Sequence, residues 1–270
     1  MIPLPEASGS YVDAILERWL GFATPQIAVE MKARNWRPDR RGSYCPRCGV
    51  TIAPAPAPGF VHADGIGERS GELTDSGCGS CRGKPKLADG FVRLGSYSEV
   101  LREWILNVKY RGWAEMGEVL GRALGAAMQE TDSDFNPASS IVVPMPMPWP
   151  RRMYRGIDHA RVIAQGLSWE CNIPMLSVLS KRNGPPQVSM PTSQRRRSGS
   201  RGLSMNSIRR FKPGARWLAG ADLILVDDVT TTGASLRAAT RLLRTLKPRT
   251  IMAAVVAVAD DPSRRERIQP

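Results

Sequence analysis

The stretch Leu223-Ile-Leu-Val-Asp227-Asp228-Val-Thr230-Thr231-Thr232-Gly233-Ala-Ser235 carries the strongest signal in this chain of 270 residues. Its first four side chains are apolar and predict a buried strand. Two carboxylates follow at the carboxyl end of that strand, and a loop rich in Thr and Gly then opens a helix. Because open α/β sheets bind ligands at the carboxyl ends of their strands, the stretch predicts a ligand site here.

The loop after the acidic pair has the composition of a phosphate cradle. Backbone N–H groups at a helix start bind anions, and neighbouring hydroxyls add to them. Gly233 lets the backbone approach the ligand closely. A Walker B strand also ends in acids, but the chain contains no GxxxxGK[ST] loop. Helix capping alone needs neither two adjacent acids nor a run of threonines.

This stretch resembles the PRPP-binding motif of type I phosphoribosyltransferases, where PRPP is 5-phosphoribosyl-1-pyrophosphate. In that family two acids hold the ribose 2′- and 3′-hydroxyls, and Mg²⁺ accompanies PRPP. The resemblance implies these sugar-binding, catalytic roles for Asp227 and Asp228. It implies that the loop binds the 5-phosphate through Val229, Thr230, Thr231, Thr232, Gly233, Ala234 and Ser235.

The rest of the second half alternates between strand and helix patterns. Apolar runs predict strands, and apolar residues at 3–4 spacing predict helices. Such alternation is typical of a parallel sheet covered on both faces. The predicted strands are 91–97, 141–143, 175–179, 223–226 and 251–258; the predicted helices are 100–108, 116–128, 160–171 and 234–246.

Four of the five cysteines form two CxxC pairs, Cys45 with Cys48 and Cys78 with Cys81, separated by 29 residues. Each pair forms a turn that aims two sulfurs at one point, which predicts a structural four-thiolate Zn²⁺ site. His62 lies in the Pro-rich insert between the pairs and is an alternative ligand. A redox CxxC would need a βαβ context that this Gly-rich segment lacks. Cys171 falls in a helical pattern and is expected in the core.

The order of motifs along the chain resembles the ComF family of competence-associated, phosphoribosyltransferase-like proteins. The cysteine module comes first, followed by Lys109-Tyr-Arg-Gly112, Val143-Pro144-Met-Pro146, Arg151-Arg152…Arg155-Gly156, a Gln187 segment and the acidic loop. The resemblance begins near Tyr44. It predicts an N-terminal helical extension (1–40), a zinc-ribbon-like module with the Pro-rich insert (41–88) and a phosphoribosyltransferase domain (89–270).

The segment from Val143 takes the place of the family's pyrophosphate loop. Pro144 and Pro146 remove two N–H donors, so Arg151, Arg152 and Arg155 would contribute more of the binding. The alternative for these arginines is a solvated helix start.

Two further residues are placed near the diphosphate by the resemblance. Lys109 is a helix C-terminal cap or a pyrophosphate contact, and the resemblance gives it and Arg155 catalytic roles. His159 stands where the family has Gln, so it is expected near the site.

Positive charge is concentrated in the loop before the acidic strand. The chain has 38 Lys and Arg against 25 Asp and Glu, and Arg195, Arg196, Arg197 and Arg201 lie close together. Such a cluster is a solvated surface or an anion-facing one. Arg195 keeps the family's spacing from Gln187, which favours a lid over PRPP. A surface for single-stranded DNA is the alternative.

Two classes of function follow from these patterns. The first is Mg²⁺-dependent phosphoribosyl transfer to an unknown acceptor, in a setting of competence and DNA uptake. The second is a non-catalytic nucleic-acid-binding or regulatory protein that uses the same fold. No apolar run approaches the roughly 20 residues that span a bilayer, so we expect a cytoplasmic protein. Its expected partners are PRPP, single-stranded DNA or DNA-uptake proteins, and further copies of itself.

Overall fold

The computed structural model describes residues 26–52, 77–81, 83–111, 113–131, 135–181, 202–205 and 218–259. The chain divides into two compact units, Met1–Pro38 and Asp39–Pro270. The first unit contains helix α1 (Gln26–Ala33). Residues 1–25 of the predicted N-terminal helical extension lie outside the described residues.

The second unit is built on a four-stranded parallel sheet. Its strands are β1 (Gly90–Ser96), β2 (Ser140–Pro144), β5 (Asp222–Thr230) and β6 (Thr250–Val258). They lie in the order β1-β6-β5-β2, and each neighbouring pair is parallel. Strands β5 and β6 are central and consist of continuous apolar runs, as expected for a sheet buried on both faces.

Helices cover both faces of this sheet. They are α2 (Glu99–Tyr110), α3 (Ala114–Thr131), α5 (His159–Cys171) and α6 (Ala234–Arg244), whereas the short helix α4 (Trp149–Arg155) follows β2 and is largely exposed. Leu223 and Leu225 of β5 belong to the same buried cluster as Leu236 of α6. Strand side chains alternate between faces, so α6 covers one face. The even-numbered Asp228 contacts residues of α2 and α5, which places these helices on the other face.

Two predicted strands differ in the structure, and helices α1 and α4 have no counterpart among the predicted helices. Strand β5 continues through the acidic pair to Thr230, because β6 pairs with it as far as Val258. Only an isolated bridge at Met175 extends the sheet beyond β2. The chain then turns away and forms a short antiparallel pair from β3 (Leu179–Lys181) and β4 (Leu203–Met205).

None of the helices described here is long and apolar enough to cross a bilayer. Cys171 is buried, and its Sγ lies 3.6 Å from the carbonyl oxygen of Gly125 in α3. It is the small core residue that its helical pattern predicted.

Candidate functional site

The acidic pair lies near the carboxyl end of β5, and its two side chains point to opposite faces of the sheet. Asp228 is only 5% exposed. Its Oδ2 atom lies 2.6 Å from Nζ of Lys109 and 3.1 Å from Nε2 of His159. Asp227 is half-buried. The structure thus joins one predicted sugar-binding acid to two residues far from it in the chain.

Helix ends bring these two partners to the acid. Lys109 is in the last turn of α2, and His159 is the first residue of α5. The carboxylate of Asp158 caps α5 by accepting a hydrogen bond from the N–H of Arg161 at 3.3 Å. Our sequence prediction left the role of Lys109 open between a helix cap and a pyrophosphate contact. Its observed partner is Asp228.

The surroundings push the pKa values of the two acids apart. Burial alone would raise the pKa of Asp228, but the positive charges of His159 and Lys109 hold it below its usual range. Burial, and then the charge of Asp228, raise the pKa of Asp227 well above its usual range. Asp228 therefore stays ionised to lower pH, and Asp227 takes up a proton first as the pH falls.

The loop after β5 has a defined conformation. Gly233 caps α6 in the left-handed region at φ 70°, and a Cβ there would lie 2.6 Å from Cδ1 of Leu87. The guanidinium of Arg237 donates to the carbonyl oxygen of Thr232, and the N–H of Ala234 lies 3.4 Å from the hydroxyl of Thr232. These contacts fix the loop at the start of α6, and its role in binding the 5-phosphate stays a prediction.

The predicted pyrophosphate loop offers few backbone donors. Val143 and Pro144 are buried at the end of β2, and Pro144, Pro146 and Pro148 have no N–H. The N–H of Met145 donates to the carbonyl oxygen of Val226 at 2.8 Å, so the sheet uses it. Diphosphate binding here would depend on cations more than on backbone. The side chains of Arg151 and Arg155, and all of Gln187, Arg195, Arg196, Arg197 and Arg201, lie outside the described part of the structure.

The four paired cysteines converge on one point. The Sγ atoms of Cys45 and Cys81 are 4.0 Å apart, those of Cys48 and Cys78 are 3.7 Å apart, and all four lie within 4.8 Å of one another. A tetrahedron with Zn–S bonds of about 2.3 Å has S···S edges of about 3.8 Å. Hydrogen bonds among the four sulfurs lower the pKa of Cys45 and Cys78 and raise the pKa of Cys48 and Cys81, because thiols that keep their protons donate to the sulfurs that lose theirs. His62 lies outside the described residues.

Arg93 ties the cysteine module to the sheet, and sequence reasoning missed it. This side chain of β1 is 1% exposed. Its guanidinium donates to the carbonyl oxygen of Gly49 and to Asp39 Oδ2, both at 2.6 Å, and to the hydroxyl of Thr51 at 2.9 Å. It also lies 5.1 Å from the ring centroid of Tyr44. A lone charge inside the apolar strand GFVRLGS was the available signal.

Comparison with known proteins agrees with this architecture. A phosphoribosyl transferase domain model matches residues 153–269. Competence protein F of Haemophilus influenzae is 28% identical over 63% of this chain and 72% of its own length. Competence protein ComFC of Bacillus subtilis is 26% identical over 84% of this chain and 82% of its own. The chain is thus similar to competence proteins over most of its length.

The chain is also similar to the DNA utilization protein YhgH of Shigella flexneri, which is 25% identical over 78% of this chain and 81% of its own length. The type I phosphoribosyltransferase fold with an N-terminal four-cysteine module is therefore confirmed. The cysteine module and the acidic loop lie in the same compact unit of this chain.

Proposed function

We propose that this chain binds PRPP with Mg²⁺ and transfers its phosphoribosyl group to a nitrogen nucleophile. The observation that carries the proposal is the position of Asp228. A buried carboxylate is held ionised at the end of β5, beside Asp227 and just before the α6 cradle. Burying a charge is costly unless it is paired, so the protein maintains this charge where a ribose would bind.

Each part of the site has a role in this transfer. Asp227 and Asp228 accept hydrogen bonds from the ribose hydroxyls, and the loop from Val229 to Ser235 holds the 5-phosphate. The acids also offer the oxygen ligands that Mg²⁺ prefers. When bound, Mg²⁺ neutralises the departing pyrophosphate. Lys109 and the arginines of α4 add positive charge on the diphosphate side, which stabilises the leaving anion.

The cysteine module is proposed to hold one structural Zn²⁺, since all four tetrahedral positions are taken by sulfur.

The names of the relatives point to a setting of competence and DNA utilization. We propose that the chain acts in the cytoplasm on PRPP, alongside DNA-uptake proteins or single-stranded DNA. We also propose that copies of this chain associate with one another.

A nucleic-acid-binding role is the second candidate, and helix α4 favours it. Trp149 is 68% exposed and Tyr154 is 88% exposed, with Arg152 on the same helix. Exposed aromatic rings next to cations are typical of surfaces on which single-stranded bases stack. The phosphoribosyl transfer proposed above assigns no role to these two aromatic rings.

Pyrophosphate release separates the two candidates. Zinc-loaded protein is incubated with Mg²⁺ and PRPP and a panel of purines, pyrimidines and aromatic amines, and inorganic pyrophosphate is measured. We expect acceptor-dependent release that stops in Asp227→Asn, because that variant loses a contact to the ribose. No release with any acceptor, together with oligonucleotide binding that Trp149→Ala abolishes, would favour the binding role instead.

A further inference from the structure

The four sulfurs of the cysteine module differ in how accessible their residues are. Cys45 and Cys78 are buried, whereas Cys48 and Cys81 are half-buried. The two half-buried cysteines line a cavity of about 340 Å³. Residues 231–233, in the middle of the proposed 5-phosphate loop, line the same cavity. A small reagent that enters this cavity therefore meets one cysteine of each CxxC pair and the loop together.

Each half-buried cysteine has a buried cysteine of the other pair beside it. The Sγ atoms of Cys48 and Cys78 are 3.7 Å apart, and those of Cys81 and Cys45 are 4.0 Å apart. Because the S–S bond of a disulfide is about 2.05 Å long, a movement of less than about 2 Å would join either pair. An accessible cysteine with a second cysteine within reach is the arrangement found in redox-sensing sites.

The module packs against the loop closely enough to transmit such a movement. Leu87 is buried, and its Cδ1 atom lies 2.6 Å from the position that a Cβ of Gly233 would take. Cys48 packs against the buried cluster that contains Leu87 and Leu236 of α6. Protein interiors have few voids that could absorb a shift. A displacement of Cys48 would therefore move its neighbours at the start of α6.

We propose that Cys48 and Cys78 form a redox switch that controls ligand binding at the loop before α6, with a peroxide as the oxidant. The Cys48 thiolate attacks hydrogen peroxide, and the O–O bond breaks to give a sulfenic acid and a hydroxide ion. The Cys78 thiolate then attacks the sulfenic sulfur, the S–S bond forms, and a second hydroxide ion leaves. The two sulfurs together lose two electrons, which the peroxide takes up. A structural Zn²⁺ has four ligands, so a site left with two thiolates releases the metal.

The inference rests on the proposed function only in assigning the loop to the 5-phosphate of PRPP. Formation of the disulfide and release of zinc disturb the packing of the module against Gly233, so oxidation should weaken PRPP binding. PRPP bound to residues 231–233 would also cover one wall of the cavity that leads to Cys48. Bound PRPP should therefore slow the oxidation.

The test treats the intact, zinc-loaded chain with hydrogen peroxide. A chromogenic chelator measures the released zinc, mass spectrometry of tryptic peptides identifies the disulfide, and calorimetry measures PRPP affinity after the peroxide is removed. We expect a Cys48–Cys78 disulfide, loss of zinc and PRPP binding that is at least threefold weaker. Dithiothreitol with Zn²⁺ should restore both zinc content and affinity. Saturation with Mg²⁺ and PRPP before the treatment should slow zinc release at least threefold.

Cys171→Ser is the matched control and should respond as the wild type does, because Cys171 is buried beside Gly125 of α3. Zinc that stays bound under peroxide, a disulfide only within a CxxC pair, or unchanged PRPP affinity after oxidation would overturn the proposal. Affinity that dithiothreitol and Zn²⁺ fail to restore would also overturn it, since oxidised methionines would then be the cause. If the reduced, zinc-loaded chain binds no PRPP, the proposed function itself is contradicted, and this control of the loop with it.

Discussion

Asp228 is the residue on which the candidate site depends. Its carboxylate is buried between Lys109 and His159, which pair with its negative charge and hold the carboxylate in place. Lys109 and His159 contact its Oδ2 atom, and the N–H of Val229 donates to Oδ1 at 2.6 Å; a carboxylate has about four lone-pair sites, so one is left for a ribose hydroxyl. The same contacts explain why its pKa lies below the usual range.

Replacing His159 with Gln should raise the pKa of Asp228. Glutamine can still donate a hydrogen bond but carries no charge, so the attraction that favours ionised Asp228 weakens. The folded-state pKa of Asp228 lies below its unfolded value, so its ionised form stabilises the fold above roughly pH 4. That contribution is lost as the pH falls through the folded-state pKa. In His159→Gln the folded-state pKa lies closer to the unfolded value, so this contribution should be smaller and should be lost completely at a higher pH than in the wild type.

Carboxyl NMR titration and acid unfolding measure this effect. Arg161→Gln removes a charge from the same helix without touching Asp228 and serves as the control. An Asp228 titration that is identical in wild type and His159→Gln would contradict the electrostatic role of His159.

At this scale the sequence predicted the acids and the loop, because local spacing defines them. It could not predict that Lys109 pairs with Asp228, since the two lie 119 positions apart in the chain. It placed His159 near the site only through the family pattern. The burial of Asp228 also needed the packed helices α2 and α5, which no local pattern describes.

At the scale of elements, β1 connects the sheet to the cysteine module through Arg93. Periodicity predicted β1 and its neighbours with small errors at the ends. It did not predict the continuation of β5 through the acids, because two adjacent carboxylates are unusual in a strand. Pairing with β6 compensates for that composition. Likewise, the charge of Arg93 is explained by its hydrogen-bond partners on the cysteine module, which no local sequence pattern reveals.

Arg93→Met should destabilise the protein by about 3 kcal/mol. The substitution leaves buried acceptors at Gly49 and Thr51 without their donor and breaks the pair with Asp39. Urea unfolding measures the free energy, and hydrogen exchange of residues 44–51 should show faster opening. Arg244→Met is the matched control: its pair with Asp89 is exposed and should contribute less than about 1 kcal/mol. Equal losses in the two variants would contradict the anchoring role.

At the scale of the whole molecule, the cysteine module packs against the loop that opens α6. Leu87 follows the second cysteine pair and occupies the space beside Gly233 where a larger residue would need its Cβ. Val50 and Leu87 belong to the same buried cluster as Leu236 of α6. The order of motifs predicted both parts, but only the folded structure shows them sharing a core.

We expect about one Zn²⁺ per chain, lost in Cys78→Ser. Because the module packs against the loop, PRPP affinity should fall several-fold together with zinc. Cys171→Ser is the matched control. Cys171 is buried and lies far from the paired cysteines in the sequence, so this variant should leave the zinc content unchanged. Elemental analysis and PRPP titration make the comparison. A protein without zinc and with a Cys45–Cys48 disulfide would contradict the metal site.

Calorimetric titration of PRPP into the zinc-loaded protein, with and without Mg²⁺, tests the central proposal most directly. Asp227→Asn is the informative variant, because Asp227 is half-buried and its removal leaves the Lys109–Asp228 pair in place. We predict one PRPP per chain, binding that depends on Mg²⁺, and at least a tenfold loss in Asp227→Asn with the fold intact. PRPP that does not bind, or that binds a folded Asp227→Asn variant as tightly as wild type, would contradict the account.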